Sequence, residues 1–409
     1  MQDRVSLYPG RVKLEPVAGQ ANLYDLTRAD QPTQEGTPLS KANLLSDATE
    51  TAMFGAAADR TVDEAFAGLA AQIKLIMSNT AAITLTLKDS AGHAIPGVLV
   101  QGILTESGQA VYSGTDGVAA GYIAEGSQTI KVTGYADIED YTETIAVTKG
   151  TIITKALTLT TRNFFKITSS KSVKFSGNVN TVDVTVVGGG GGGGGGAASN
   201  SNAGQIGGNG GGGGYCVAQA GQQVSPNVAY PAIIGAGGNG GAAAPYEWEG
   251  TSGGNGGSTS FLGITANGGN GATANSVDST PIAASGNGSG GRASYKWSGT
   301  YTSVPTSGSP GSVQGYASFD TTALYGGGGG GGAGNGNGNN GNGATGGSQY
   351  GGKGGDTDGY VDGASAQANT GGGGGGGGAN RNNDDCEAGK GGDGGSGVVT
   401  IRMHLKSAA

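Results

Sequence analysis

Nine consecutive glycines at residues 188–196 constrain this chain more than any other feature of its sequence. Further unbroken glycine runs occupy residues 326–332 and 371–378, and the chain holds 90 glycines in 409 residues. Glycine offers no side chain to a hydrophobic core and loses more backbone entropy on ordering than any other residue. Such runs must therefore be held by contacts between backbones, or else remain a flexible linker.

The glycine-rich sequence repeats with a period of three. Non-glycine residues stand at every third position in residues 235–241, 252–258 and 389–397. This period is typical of a left-handed extended helix with three residues per turn and no internal hydrogen bonds, and collagen is excluded by the scarcity of proline. Adjacent glycine helices can approach until their backbones bond to each other, so we predict a polyglycine II bundle rather than a linker. At about 3.1 Å per residue, a nine-residue run crosses a bundle roughly 28 Å long.

Two strands, each with one apolar face, bracket the glycine-rich region. Residues 164–187 end in alternating valines, and residues 398–405 alternate in the same way. Pairing between these strands would return the chain to the point where the glycines begin. We therefore predict one domain over residues 163–406, closed by β-strands. Its strand-face residues are Val182, Val184, Val186, Val399, Ile401, Met403 and Leu405.

Residues 83–160 have the period of two that predicts β-strands. Turn sequences such as Asp89-Ser90-Ala91-Gly92 separate the strands, and a segment of this length can just sustain its own core. We predict a small antiparallel β-sandwich here. Within it residues 89–100, which include Ile95-Pro96-Gly97, resemble the carboxypeptidase-regulatory or transthyretin-like module. Modules of that kind usually act as spacers.

The first 80 residues predict an extended, proline-rich entry followed by a helix. Thr61 is a suitable N-cap, and Glu64 stands three residues later as its capping-box partner. Two explanations of the helix stay open: its apolar seam joins symmetry-related copies, giving a homotrimer assembled through residues 1–80, or the helix packs on its own domain. The seam residues, spaced four, three, four and three apart, are Val62, Phe66, Leu69, Ile73 and Ile76.

Charge and composition argue against several functions. The net charge of −8 comes without a basic stripe, so no nucleic-acid partner is expected. No apolar run is long enough to span a bilayer, and residues 1–10 lack the layout of a signal peptide, so we expect no membrane insertion. Two histidines and two cysteines leave few groups for general-base catalysis or zinc binding. We predict no enzyme activity, no catalytic residue and no cofactor.

One acidic loop approaches the spacing of a calcium-binding nonapeptide. It contains Asp356, Asp358 and Asp362, but an aspartate occupies the apolar position of that motif. Loop carboxylates can gather a hard cation such as calcium. A solvated acidic loop explains the same residues without an ion, so we predict no metal site.

Four segments carry a resemblance to the glycine-rich domain of phage tail-fibre adhesins. They read KSVKFSGNVNTVDVTVVGGGGGGGGG at residues 171–196, IGAGGNGG at 234–241, GGSTSFLGITANGGNG at 256–271 and GGDGGSGVVTIRM at 391–403. The resemblance implies that polyglycine helices form a sandwich whose connecting loops bind the host receptor. In addition, residues 14–55, which include EGTPLSKANLLSDATETAMFG, are similar to attachment segments of tail proteins from phages and prophages of Gram-positive gut bacteria.

The resemblance places the receptor-binding side chains on the connections between glycine helices. These connections are irregular and rich in aromatic, amide and acidic residues. Tyrosine and tryptophan suit recognition because they give a large rigid contact area with a polar tip, although some of them could instead pack beneath the loops. The candidate receptor-binding residues are Tyr246, Glu247, Trp248, Glu249, Asp278, Tyr295, Trp297, Tyr301, Arg381, Asn382, Asn383, Asp384 and Asp385.

The sequence thus favours a receptor-binding adhesin of a phage or prophage tail. Residues 1–80 would attach to a virion tail or fibre protein, residues 83–160 would be a spacer, and residues 163–406 would bind a bacterial surface glycan or protein. The protein would be made in the host cytoplasm and act on the virion, outside the cell. Two alternatives stay open: a structural or ice-binding polyglycine protein, which needs flat repetitive faces, and a tail-associated glycan depolymerase, which needs a cleft with convergent acids.

Counting crossings of the bundle predicts which connections lie together. If each glycine run crosses once, the far end holds residues 197–206, 242–252, 272–285, 335–345 and 379–388. The end near the spacer then holds residues 215–234, 258–266, 356–370 and 292–325, unless the last of these makes an excursion to the far end. Cys216 and Cys386 would lie at opposite ends and remain free thiols.

Overall fold

The computed structural model of the protein describes residues 5–6, 12–19, 23–28, 32–34, 51, 62–77, 79–199, 205–246, 249–275, 284–297, 300–301, 305–309, 325–336, 342–357, 362–382 and 385–405. The chain divides into two compact units. One comprises residues 1–83, 122–128 and 145–153, and the other comprises residues 84–121, 129–144 and 154–409. Strands and irregular segments dominate, as predicted, and none of the described helices could cross a membrane.

The N-terminal segment contains four short strands and a helix. The strands are β1 (Val5–Ser6), β2 (Val12–Pro16), β3 (Tyr24–Arg28) and β4 (Pro32–Gln34), and β1 pairs with β4 and β2 with β3. The predicted helix is α1 (Val62–Met77), with acidic residues in its first turn that interact favourably with the helix dipole. The predicted cap, Thr61, lies outside the described residues. Two positions of the seam, Phe66 and Ile73, are 61% and 48% exposed.

Seven strands form the predicted β module. They are β5 (Thr80–Lys88), β6 (Leu99–Leu104), β7 (Ala110–Tyr112), β8 (Val118–Ala124), β9 (Gly126–Val132), β10 (Tyr141–Val147) and β11 (Ile152–Thr158). Hydrogen bonds join them in the order β10-β9-β6-β8-β5-β11, and β7 adds to β6. Alternate residues of β5 are buried, including Leu85 and Leu87, which matches the period of two. The period of two is weak in β7 and β8, because β7 is short and β8 is rich in alanine and glycine.

The glycine-rich domain begins and ends in one four-stranded sheet. Its order is β12 (Phe164–Ile167), β27 (Val398–Leu405), β14 (Val179–Val187) and β17 (Cys216–Gln223). Val187 lies opposite Val398, which confirms the predicted closing pair. Two antiparallel pairs lie beside this sheet: β13 (Lys171–Val173) with β18 (Tyr230–Ala232), and β20 (Thr259–Phe261) with β21 (Ile264–Ala266). Their apolar side chains form one buried cluster around Phe175 and Phe261, and we call this end of the domain the base.

The glycine run at residues 188–196 is surrounded by six other segments. Successive N–H groups of the run donate in turn to three segments, residues 209–215, 251–257 and 389–395. Three residues further along the run, the N–H donates to the same segment again, at an acceptor three residues earlier in the sequence. Thus Gly189, Gly192 and Gly195 donate to Gly257, Gly254 and Thr251, each at 2.9 Å. Its carbonyls accept hydrogen bonds from residues 238–244, 269–272 and 374–377. The core of the domain is therefore backbone, as the period of three predicted.

Neighbouring backbones leave no room for side chains along most of this run. A Cβ atom added to Gly192 would lie 2.0 Å from the carbonyl oxygen of Asn239. At eight of the nine glycines the added atom would meet a carbonyl oxygen at 1.9–2.1 Å. Gly194 differs, because its added Cβ would have no neighbour closer than 3.5 Å. Glycine is thus a steric requirement at eight positions of the run and not at the ninth.

A buried polar network joins the segment between β9 and β10 to the base. The hydroxyl of Tyr135 donates to the side-chain oxygen of Asn227, whose Nδ2 donates to the carbonyl of Gly97 at 2.6 Å. The carboxylate of Asp137 accepts a hydrogen bond from the backbone N–H of Ser176 at 3.0 Å and another from its hydroxyl. Burial raises the pKa of Asp137, against the opposing effect of the bonds from Ser176, and raises the pKa of Tyr135 to about 12. This network holds the β module against the base.

Hydrogen bonds between segments confirm much of the crossing count. Residues 197–198, 205–206, 244–245, 379–382 and 385–388 meet at the end opposite the base, which we call the tip. Residues 216–223 and 259–266 lie at the base. Cys216 and Cys386 accordingly lie at opposite ends and are free thiols.

The connection at 292–325 makes the excursion that the count left open, because it sends β22 (Tyr295–Trp297) and β23 (Thr300–Tyr301) to the tip, where β22 pairs with residues 205–206. One part of the count was wrong. Residues 356–370 do not all stay at the base, since the N–H of Gly363 donates to the carbonyl of Lys390 near the tip. The short segments 342–347 and 351–357 also run along the bundle, and a count of long runs omits them.

Candidate functional site

The tip consists of two small sheets at the ends of the glycine helices. The first has the order β19 (Ala244–Pro245), β15 (Ala197–Ala198), β16 (Gln205–Ile206), β22 and β23. The second has the order β24 (Gly334–Gly336), β25 (Ala379–Asn382) and β26 (Asp385–Ala388). β16 lies beside β24 and β25, and β15 lies beside β25 and β26. Connections from five parts of the chain therefore meet in one surface.

Small side chains anchor the tip sheets to the bundle. Ala197 packs with Ile206 and Ala244, and Ala198 packs with Ala379 and Cys386, in two buried clusters. The alanines at 197 and 379 come directly after the last glycine of a central run. The first side chains after these glycine runs thus lie where neighbouring segments begin to pair as strands, and they form a small buried apolar contact there.

A buried pair of asparagines lies beneath the tip. Asn209 donates from Nδ2 to Oδ1 of Asn275 at 2.7 Å and accepts at Oδ1 from the N–H of Ala293 at 2.9 Å. Asn275 donates from Nδ2 to the carbonyl of Gly207 at 3.0 Å. A side-chain amide has the same donor and acceptor groups as a peptide bond. These side chains therefore extend the hydrogen bonding of the bundle with groups of the same kind.

The candidate recognition residues that the structure describes fall into three groups at the tip. Tyr246 and Glu249 follow β19, Tyr295, Trp297 and Tyr301 lie on β22 and β23, and Arg381, Asn382 and Asp385 lie on β25 and β26. Glu247, Trp248, Asp278, Asn383 and Asp384 lie outside the described residues. The structure thus brings together residues that are separated by as many as 139 positions in the sequence, from Tyr246 to Asp385.

Tyr246 combines an exposed ring with a strained backbone. Its φ is +66°, in the left-handed region that bulky residues rarely adopt, and the residue is 54% exposed. The two residues before it pair in parallel with Ala197 and Ala198, so the strained position directly follows a hydrogen-bonded strand. Such strain costs about 1–3 kcal/mol and is concentrated at functional sites.

Acidic and basic residues balance among the described positions of the tip. Glu249, Asp385 and Glu387 are acidic, and Arg292, Lys296 and Arg381 are basic. Of these charged residues, Glu249, Glu387 and Arg292 have described side chains, and all three are exposed. Carboxylates at a surface accept hydrogen bonds from ligand hydroxyl or amine groups.

The acidic loop considered as a calcium site engages protein donors instead. Asp356 accepts hydrogen bonds from the N–H of Gly343 at 2.6 Å and from Lys353 at 2.9 Å, and Asp362 accepts one from the N–H of Lys390 at 2.7 Å. Asp358 lies outside the described residues. Within the described ranges, no group of three histidine, cysteine, aspartate or glutamate residues is arranged to hold a metal ion.

Two tip residues were missing from the sequence-based candidates. Lys296 lies between Tyr295 and Trp297 on β22, opposite Gln205, and Glu387 is exposed on β26. Both are sequence neighbours of predicted residues. Their closeness in sequence to the predicted residues was the available signal, and the sequence-based selection did not use it.

Comparison with curated proteins found no significant match. A family model described as a glycine-rich domain matches residues 167–404. The match extends from the last residue of β12 into β27, so it includes the base, the bundle and the tip. Because it covers more than half of the chain, the protein belongs to the glycine-rich domain family.

Proposed function

We propose that the protein is a receptor-binding adhesin of a phage or prophage tail and that its tip recognises a receptor on the bacterial surface. The observation that carries this proposal is that the two ends of the glycine-rich domain differ. The chain enters through β12 and β14 and leaves through β27, and all three strands lie in one sheet at the base. The irregular, aromatic and amide-rich connections meet at the opposite end.

The bundle suits this role because it holds the tip rigidly. Each residue of the central run donates a backbone hydrogen bond to a surrounding segment, and seven of the nine also accept one. A surface held in one conformation loses little entropy on binding, which favours affinity. The four sequence segments that resemble tail-fibre adhesins lie in the same domain.

The remainder of the chain fits attachment to a virion. In this proposal residues 1–80 bind a virion tail or fibre protein, and the seam of α1 joins three copies, consistent with the exposure of Phe66 and Ile73. The β module is a spacer held to the base by the network around Tyr135 and Asp137. The protein is made in the host cytoplasm, acts outside the cell on the virion, and binds without catalysing a reaction.

Adsorption competition with the purified full chain tests the proposal. We expect the chain to bind host cells and to slow adsorption of the phage that encodes it. Gly194→Ala should compete as well as the unmodified chain, whereas Gly192→Ala, in the same run, should lose competition because it disrupts the bundle. A folded chain that neither binds cells nor slows adsorption would refute the proposal.

A further inference from the structure

We propose that Asn267 is a site of spontaneous covalent modification, at which the backbone nitrogen of Gly268 attacks the side-chain amide and converts the residue to aspartate or isoaspartate. Asn267 lies at the base, directly after β21, and the modification does not depend on the receptor-binding function proposed above. Asparagine is one of the thermolabile residues of proteins. A following glycine leaves the attacking nitrogen unhindered, because glycine has no Cβ atom.

The reaction needs water and no other reactant. The nitrogen of Gly268 forms a bond to Cγ of Asn267, and the bond between Cγ and Nδ2 breaks. Nδ2 leaves as ammonia, with the proton that the nitrogen of Gly268 gives up, and a succinimide ring remains. Water then opens the ring at one of its two carbonyls, which gives aspartate or isoaspartate.

Six other asparagines with described side chains precede a glycine, and in each of these pairs the glycine N–H is hydrogen-bonded. It donates to an oxygen atom of a neighbouring segment at 2.6–2.9 Å. An N–H that is bonded within the protein loses its proton to solvent only when that bond opens. Attack by these six nitrogens is therefore hindered. The six asparagines are Asn209, Asn239, Asn255, Asn270, Asn287 and Asn342.

The pair of Asn267 and Gly268 lacks this protection. No described residue accepts a hydrogen bond from the N–H of Gly268, and the side chain of Asn267 is exposed. The nitrogen of Gly268 can thus lose its proton to solvent without the opening of a hydrogen bond. Only the carbonyl of Asn267 is held, by the N–H of Tyr215 at 3.0 Å.

Asn270 is the matched comparison on the same glycine segment. Its carbonyl accepts a hydrogen bond from the N–H of Gly212 at 2.9 Å, as the carbonyl of Asn267 does from Tyr215. The following N–H, that of Gly271, donates to Oδ1 of Asn255 at 2.8 Å, and Nδ2 of Asn270 donates to Oγ of Ser285 at 2.6 Å. Both reacting groups are therefore held at Asn270, and neither is held by a described residue at Asn267.

Isoaspartate at position 267 should weaken the bundle near the base. The main chain would then pass through Cβ of residue 267, which adds one atom before Gly268. Two residues later, the N–H of Gly269 donates to the carbonyl of Gly189 at 2.8 Å, so the longer chain must fit between that bond and the contact with Tyr215. Asn267→Asp carries the same added charge on an unaltered main chain and is the control for this effect.

The test ages the folded full chain in mildly alkaline buffer below its melting temperature. Mass spectrometry of chymotryptic peptides, with fragmentation to assign each site, follows the conversion of amide to acid. We expect Asn267 to convert at least about fivefold faster than Asn270, the factor that one opened hydrogen bond supplies. Asn255→Ala, which removes the acceptor of the Gly271 N–H, should accelerate conversion of Asn270 by about the same factor. The aged chain should melt below Asn267→Asp, and Asn267→Gln should keep its melting temperature on ageing.

Three results would overturn the inference. Equal conversion of Asn267 and Asn270 in the folded chain would show that the free N–H of Gly268 does not select the site. An unchanged rate at Asn270 in folded Asn255→Ala would show that hydrogen bonding of the attacking nitrogen does not control the reaction. An aged chain that melts with Asn267→Asp would contradict the predicted effect of isoaspartate on the bundle.

Discussion

Substitution of Gly192 by alanine should disrupt the bundle, whereas the same change at Gly194 should not. Both residues belong to the run at 188–196, donate backbone hydrogen bonds at 2.8–2.9 Å and have a backbone that alanine can adopt. They differ in what an added methyl group would contact. At Gly192 it would lie 2.0 Å from the carbonyl oxygen of Asn239, and at Gly194 its nearest neighbour would be 3.5 Å away.

The expected cost at Gly192 follows from the segment that must move. Residues 235–244 would have to retreat by roughly 1 Å to bring the contact to 3.0 Å, the shortest separation that real Cβ atoms show. That movement weakens the hydrogen bonds that Gly238, Gly241 and Ala244 donate to the run, each worth about 1 kcal/mol. Overpacking adds about 1–3 kcal/mol, so the free energy of unfolding should fall by about 4–6 kcal/mol. Gly194→Ala should be neutral or stabilise by about 0.5 kcal/mol, because alanine lowers the entropy of the unfolded chain.

Differential scanning calorimetry of the full chain measures both effects. For a domain of this size, the loss at Gly192 corresponds to a melting temperature lower by roughly 10 °C or more. Hydrogen exchange of peptides from residues 188–196 assigns the transition to the bundle. Equal melting temperatures for Gly192→Ala and the unmodified chain would refute the steric reasoning, and so would equal losses in the two variants.

Three further predictions concern buried polar groups and thiols. Asn209→Ala removes the partner of Asn275 and Ala293 and should lower the unfolding free energy by about 3 kcal/mol, measured by calorimetry. Burial raises the pKa of Asp137 above its ordinary value of 3.8, so the folded state binds the proton more tightly than the unfolded state does. As the pH falls toward 3.8, the melting temperature of the unmodified chain should therefore rise relative to that of Asp137→Asn. If the melting temperature of Asp137→Asn rises relative to that of the unmodified chain instead, the inferred direction of the pKa shift is wrong. Two thiols should titrate after unfolding, and in the folded protein Cys216 should react slowly, because burial raises its pKa to about 12; rapid reaction of native Cys216 would contradict this.

The bundle and its closure could be predicted from the sequence because both depend on local rules. A period of three with glycine at two positions specifies a helix whose partners must be other backbones. The alternating apolar residues of β14 and β27 predict strands with a buried face, and their pairing closes the domain; the structure also buries Asp183, Thr185 and Thr400 on the other face. The helix α1 and most strands of the β module followed from periodicity in the same way.

The neighbours of each glycine segment could not be predicted, because glycine carries no side chain that distinguishes one run from another. The place of β22 at the tip depends on pairing with β16, whose residues are about 90 positions away in the sequence. The space for an added methyl group at Gly194 and the hydrogen bond between the amides of Asn209 and Asn275 likewise depend on where neighbouring segments lie.

For the candidate site, the sequence determined which residue types the connections carry, and the tertiary structure decided which of them meet. Tyr246 could be chosen as an aromatic residue on a loop, but its left-handed backbone, directly after the pairing of β19 with β15, could not be predicted from the sequence. A side chain's chemistry is a property of its own residue. Its neighbours and exposure depend on long-range packing, which in this domain is made by nearly identical backbones.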